Sequence, residues 1–584
     1  MPSRQTRRIS ATAASAGLIW AMLSGAAFGS TAHSGATGAL IPTSMFGTFP
    51  YDVGSITNNT FTTFAEHLTG LKFTFETEPV GDATDTVTKQ GILLASGDYP
   101  DVFWSAQLSA ADVLKYGSEG VFQPLQKLIK QYAPNLWANI QTIPGYKQDV
   151  TAPNGNIYAL PVYNYCPHCS YTYQDYINAG LLKKYGLSLP RTTSQFADVL
   201  NVFKKHGITP LSGAIDTYLS NPIQFIMNAF IPFDGDLTTG ENDVDVNNNG
   251  QLVFVPTQAG WKAGLKYLNT LYNNGDFSAS VFTQPATAEE SLVQSNTVGV
   301  IPDGAIQTIN PTYGAPGSHW LDWVSLPPLT GPTGGNWAAF AGTGFPTWYA
   351  MAITNKASKA QAIGIMKLLN YMNTTNGSLT YNFGSYWVPA GKGTTGLVPG
   401  PALYNMKNPN VDFVQPNFLQ NSSWYQFGPF YTSYADRMEQ VSPPPFVVSG
   451  AQTLDQLWTE VGPLGHQEAL QLPTNVFVPI SEATTFDTEQ TNIDNWVDSW
   501  TEEFVTGAKS VTTDWSSYLS GLKALGLSSY MKMLQQASRP INTNVPLYHK
   551  NNANLKFLIC KGPVPALLKK YMVEGGVPAS DFNC

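Results

Sequence analysis

The chain has 584 residues, too many for one ordinary hydrophobic core, so two or more lobes are expected. Hydrophobic residues make up 43% and aromatic residues 12%, which excludes global disorder. Charged residues are only 12% and the net charge is −9, which argues against nucleic-acid phosphates as partners and suits neutral, hydroxyl-rich ligands.

Arg4, Arg7 and Arg8 precede an uncharged Ala/Ser/Leu stretch from Ile9 to about Gly29, and Ala27-Phe28-Gly29 offers a small-x-small cleavage site. Residues 1–29 therefore read as a cleavable export signal, which places the mature protein in the periplasm or outside the cell. A retained membrane anchor is the alternative, but Ala, Ser and Gly make this stretch weakly hydrophobic. No Cys lies before Cys166, so the mature N-terminus has no Cys to lipidate. Residues 30–44 are small and polar and read as a flexible leader.

From Phe61 to Leu68 an apolar face recurs at helical spacing, and Leu71 to Phe75 alternates as a strand. Asp82 is placed to cap a helix reaching Ser96, with Val87, Ile92, Leu93 and Leu94 as its apolar positions. Asp101 to Trp104 reads as a short buried strand, Ala110 to Tyr116 and Leu125 to Tyr132 as helices. Asn154-Gly155-Asn156 turns into a strand over Ile157–Leu160. Tyr173 to Tyr185 is amphipathic. Thr193 is read as the cap of a helix from Gln195 to His206, and Trp261 to Asn273 is a strong helix. Val298 to Ile301 is a buried strand ending at Pro302-Asp303. Gly/Pro-rich residues 311–347 read as loops, Tyr349 to Ile353 as a strand, and Ser358 as the cap of a helix to about Met372. Ile493, Trp496, Val497, Trp500 and Phe504 share one helical face, and Asp514 precedes another helix. Alternating strands and helices indicate α/β lobes with largely parallel sheets.

The order and spacing of several segments resemble the extracellular solute-binding proteins of ABC importers, specifically the family-1 carbohydrate type. The matching residues are Leu93-Leu-Ala-Ser-Gly-Asp-Tyr-Pro-Asp-Val-Phe103, Tyr132-Ala-Pro-Asn135, Asn154-Gly-Asn-Ile-Tyr-Ala-Leu-Pro161, Leu182-Lys-Lys-Tyr-Gly-Leu187 and Leu265-Lys-Tyr-Leu-Asn-Thr-Leu-Tyr272, within about 45–540. The resemblance implies a two-lobed periplasmic-binding-protein fold with a hinge and an interlobe ligand cleft. Lobe one is then expected over 45–162 with about 349–440, lobe two over 163–348 with about 441–540, and 541–584 as a C-terminal extension. It also implies a carbohydrate ligand, ABC permease subunits as partners, a monomer, and no cofactor or catalysis. The lipobox Cys common in the family is absent.

Sugar binding needs flat apolar faces for C–H groups and planar polar groups for hydroxyls. Aromatic residues outside helix-periodic positions are the candidates: Trp104 after its strand, Tyr163 and Tyr165 at the first crossing, Trp348 at the second, and Tyr386 with Trp387. Asp303, ending a strand, is the candidate acceptor for hydroxyls. Ordinary core packing competes with each assignment, and Trp496 and Trp500 lie on a core stripe.

Cys166-Pro-His-Cys169 has the spacing of a thiol oxidase but lacks that fold's βαβ context, so a loop disulfide is expected. Cys560 and Cys584 are expected to form a second. Asp243-Val-Asp245-Val-Asn247-Asn-Asn249-Gly250 resembles a calcium loop, but Pro256 stands where the bidentate Glu belongs, so a hairpin turn and no metal site is the reading. No zinc spacing, nucleophile elbow or phosphate loop is found. Glu289-Glu290 and Glu502-Glu503 read as helix-surface pairs. A secreted glycoside hydrolase using a carboxylate pair is the alternative function.

Overall fold

The structure, a computed structural model, describes residues 39–49, 53–79, 83–164, 174–215, 221–233, 243–303 apart from 248, 319, 322–338, 349–383, 476–538 and shorter stretches between 387 and 579. The proposed export signal and Tyr165, Cys166, Cys169, Trp348, Tyr386, Cys560 and Cys584 lie outside them.

The N-terminal part of the described chain builds one sheet and its covering helices. These elements are β1 (Ile41–Phe49), α1 (Thr60–Thr69), β2 (Leu71–Pro79), α2 (Ala83–Ser96), β3 (Val102–Leu108), α3 (Ala110–Ser118), α4 (Gln126–Tyr132), α5 (Pro134–Thr142), α6 (Tyr146–Val150) and β4 (Ala159–Pro161). β1 begins at Ile41, inside the stretch read from sequence as a leader. Its pattern is masked by Pro42, Ser44 and Gly47, and only full-length parallel pairing with β2, from Ile41↔Leu71 to Phe49↔Pro79, makes it a strand. Gly47 is required there, because a Cβ would strike the backbone carbonyl of Trp104 on β3. Pro134 opens α5 at its first position, where a missing N–H costs nothing.

The helix α2 reverses the sequence expectation. Val87 and Ile92 are exposed, while Thr86, Gln90 and Leu94 face inward. Thr86 pairs with Thr48 at 2.9 Å, and the Gln90 amide bonds both backbone groups of Gln107. Polar residues are inside because they satisfy groups that the sheet leaves open.

After β5 (Tyr163–Asn164) the chain forms β6 (Gln174–Asn178), α7 (Ala179–Lys184), α8 (Thr193–Lys205), β7 (Thr209–Leu211), α9 (Pro222–Met227), β8 (Val244–Val246), β9 (Leu252–Phe254), α10 (Ala259–Asn273), α11 (Ala286–Gln294), β10 (Val298–Asp303) and β11 (Trp323–Ser325). Strand β6 thus occupies part of the amphipathic Tyr173–Tyr185 stretch, and Thr192 rather than Thr193 caps α8, accepting from Gln195 N. β8 and β9 form the hairpin expected at Asn247–Gly250, with Asn247 Oδ1 accepting from Asn249 and Gln251.

β12 (Tyr349–Ile353) returns to the first sheet, whose strand order is β2-β1-β3-β12-β4, with β12 antiparallel to both neighbours. α12 (Lys359–Met372), with a Ser358/Gln361 capping box, and α13 (Thr375–Phe383) follow. The second sheet has the order β11-β6-β10-β7, with β7 and β10 parallel. Two separate cores result. One runs from Met45 to Tyr163, resumes at Tyr349–Tyr381 and takes in Trp424, Phe430 and Phe477. The other runs from Tyr176 to Leu329, resumes at Ile493–Leu534 and takes in Tyr571. The protein is a two-lobed α/β structure.

Short strands β13 (Trp387–Pro389), β14 (Val411–Val414) and β15 (Tyr431–Thr432) precede the terminal helices α14 (Ile480–Thr506), α15 (Trp515–Ala524) and α16 (Leu527–Ala537). The 27-residue α14 touches α3 of lobe one and α10, α15 and α16 of lobe two, so it bridges the lobes. Its Ile493, Val497, Trp500 and Phe504 are buried as the sequence pattern implies. Part of the C-terminal extension also docks on lobe two. Tyr571 is buried there and donates to the Leu187 carbonyl, and Arg191 donates to that of Glu574.

Candidate ligand-binding site

The sequence candidates separate by position. Trp104 lies inside β3 rather than after it and is wholly buried. Its ring meets Trp424 edge-on at 5.5 Å, and its N–H faces the Tyr381 hydroxyl at 3.4 Å. This corrects its placement at a loop mouth: β3 runs on to Leu108 because it pairs with β12, which sequence separation concealed. Beside it Ser105 takes a left-handed φ of 53°, unusual for a non-glycine strand residue and adjacent to an irregular register between β3 and β12.

Tyr163, at the first crossing, is also buried. One face of its ring stacks on Tyr146 at 4.4 Å, and its hydroxyl donates to the Pro144 carbonyl at 3.0 Å. β5 pairs in parallel with β15, tying this crossing to residues 431–432. At the second crossing Tyr349 donates to the carbonyl of Asp149. Asp149 is itself wholly buried, its Oδ1 is unpartnered, and burial pushes its carboxyl well above the usual range. Trp387 opens β13 opposite Phe413 of β14.

Asp303 ends β10, where it lies opposite Gln174 of β6. Parallel strands β7 and β10 both finish at this edge, and open α/β sheets take ligands beyond their strand carboxyl ends. The edge is polar. Ser325 donates to Gln174 Oε1 at 2.6 Å, and the Gln284 amide donates to Ser212 Oγ at 2.7 Å and to the Gly213 carbonyl. Asp175 follows Gln174, and Glu289 reaches in from α11. Both are fully buried, and neither carboxyl has a hydrogen-bond partner. Glu289 was read as a surface residue. Its position in the first turn of α11 is legible in sequence, but the packing of that turn into the sheet edge is not. Burial, and then Asp303, Asp175 and Glu290, hold its carboxyl well above the usual range. Burial does the same to Asp175.

Among the described residues no three His, Cys, Asp or Glu side chains are spaced to hold a metal ion. A hollow of about 460 Å³ is lined, among the described residues, by α5, α6 and their flanks from Ile140 to Thr151. No described helix is long and apolar enough to cross a membrane.

The family model for bacterial extracellular solute-binding proteins matches residues 52–377, more than half of the chain. The chain belongs to this family. Over 214 residues it is 29% identical to the fructooligosaccharide ABC transporter substrate-binding protein FusA of Streptococcus pneumoniae, covering 34% of this chain and 38% of FusA. The family fold extends further than that alignment. The FusA structure in complex with kestose superposes with a TM-score of 0.67 at 21% identity, over 85% of this chain and 98% of FusA's. An HMO-binding, ABC-transporter-associated solute-binding protein from Bifidobacterium longum infantis gives 0.66 at 16% identity, over 85% and 98%. The alginate-binding protein AlgQ2, solved without calcium ion, gives 0.62 at 22% identity, over 86% and 98%.

Proposed function

We propose that this protein is the extracytoplasmic receptor of an ABC import system, binding an oligosaccharide between its lobes and delivering it to a membrane permease. The observation that carries the reading is membership of the solute-binding family together with sequence similarity to FusA, a fructooligosaccharide receptor by name. The low charge and high aromatic content of the chain support a neutral, hydroxyl-rich ligand. Asp303 contributes acceptors at the lobe-two edge, while Trp348, Tyr165, Tyr386 and Trp387 are the proposed stacking residues. Trp104 and Tyr163 are structural in this reading, because both side chains are buried in the lobe-one core. The receptor acts as a monomer, catalyses no reaction, and reaches the periplasm or cell exterior through its N-terminal signal. ATP hydrolysis belongs to another subunit, since the chain contains no phosphate loop.

Mass spectrometry of saccharide co-purifying with the native protein tests the proposal, followed by thermal-shift titration with the sugar found. A receptor at about 100 times Kd gains about 2.7 kcal/mol of stability, and the sugar is recovered unchanged. Release of shorter saccharides by the pure protein would overturn the receptor in favour of the glycoside hydrolase.

A further inference from the structure

We propose that Asp175, Glu289 and Asp303, with Gln224 beside them, form the lobe-two half of the ligand site, and that this half admits uncharged oligosaccharides while excluding uronic-acid chains. The inference rests on the carbohydrate reading above and adds a selection by charge.

Four observations support it. The first is position: these groups sit at or next to the edge where β7 and β10 end, with Gln224 on α9, which packs against β6 and β10. The second is unmet hydrogen bonding. More than nine in ten buried polar groups have partners in native proteins, yet both oxygens of Asp175, both of Glu289 and the Gln224 Nε2 have none. Asp175, Glu289 and Gln224 are each at most 1% exposed, so bulk water does not serve them.

The third is the kind of partner these atoms need. Carboxyl oxygens accept and an amide N–H donates, and a sugar hydroxyl answers both, since it donates one bond and accepts others. A metal ion is a poorer answer, because no three described acidic or metal-ligating side chains are suitably spaced. The fourth is charge. From His206 to Asn355 the only lysines or arginines are Lys262 and Lys266, and His319 lies 2.9 Å from Asp322. Lys262 lies over the Trp515 ring at 5.2 Å, and Lys266 is exposed on α10. A ligand carboxylate brought to this edge meets Asp175, Glu289 and Asp303, and β6, α9, α11 and β10 carry no lysine or arginine to pair it. Burial first, and then the fields of Asp303, Asp175 and Glu290, push the Glu289 carboxyl up, so this edge disfavours negative charge, and a uronate brought to it meets the same loss of water and the same fields. The alginate-binding neighbour shares the fold, so the discrimination proposed here lies in side chains and not in architecture.

The test is titration calorimetry on the full mature protein with kestose and other neutral tri- and tetrasaccharides, and with an alginate trisaccharide. The expected result is a neutral binder and an alginate affinity lower by about 100-fold or more. Asp175→Ala and Glu289→Gln should each weaken the neutral binder about tenfold or more, with unliganded melting temperatures equal to or above wild type. Asp175→Asn, nearly isosteric, carries the same expectation where the alanine variant does not fold. Alginate binding as tight as the neutral saccharides overturns the charge selection and leaves the receptor intact. Unchanged neutral binding in these variants overturns the placement of the site. A wild-type protein that binds no saccharide of either charge overturns the carbohydrate reading and this inference with it.

Discussion

Truncating Trp104 separates a core residue from a ligand contact. The side chain is 0% exposed, in the middle of β3, and packs in an aromatic cluster centred on Trp424, which also meets Phe49, Phe61, Phe73, Phe75 and Tyr381. Its N–H contact with Tyr381 is long at 3.4 Å, so packing dominates its contribution. Trp104→Ala should therefore cost about 3–5 kcal/mol, the range for emptying a large aromatic from a close-packed core. For a lobe of about 150–250 residues each kcal/mol shifts the melting temperature by about 2–4 °C, so lobe one should melt about 6–20 °C lower. Scanning calorimetry without ligand measures this directly. Trp104→Phe keeps much of the ring and should recover most of the loss. A Trp104→Ala protein that melts within about 1 °C of wild type but binds saccharide about 30-fold more weakly would refute the core assignment.

Two further outcomes follow from buried groups. Asp149, Asp175 and Glu289 have native carboxyls raised by burial above their ordinary values near 4, so the folded state holds protons that the unfolded state releases. Their stabilisation is complete below the unfolded pKa and is lost as pH rises through the native one; ligand-free melting temperature should climb from pH 8 to pH 5, and Asp149→Asn should flatten the slope, whereas a steeper or inverted profile contradicts the assignment. Tyr571→Ala should destabilise lobe two by about 3 kcal/mol, because this residue of the C-terminal extension is buried against that core; equal denaturation midpoints for variant and wild type would show the docking to be incidental.

Much of the architecture was legible because it is local. The Ser358 cap, the turn at Gly155 and the stripe of Ile493, Val497, Trp500 and Phe504 are set by neighbours a few residues away, and the structure places them as the patterns imply. The hairpin at Asn247–Gly250 was preferred to a calcium loop on the same local grounds.

The candidate site was legible only in part, and the misreadings share one cause. The strand end at Asp303 is visible in sequence, whereas Asp175 and Glu289 look like ordinary polar residues until β6 and α11 pack at the end of β10. The inward polar face of α2, the extension of β3 past Trp104 and the emergence of β1 from an apparent leader all depend on partners remote in the chain. By itself the sequence determined the periodicities, the caps, the low charge and the absence of lysine and arginine other than Lys262 and Lys266 between His206 and Asn355, since each is a property of short segments or of composition. Which side chains became core and which faced the strand ends was decided by tertiary structure alone. Burial is a property of the surface that arrives against a residue, and for these residues that surface comes from distant parts of the chain.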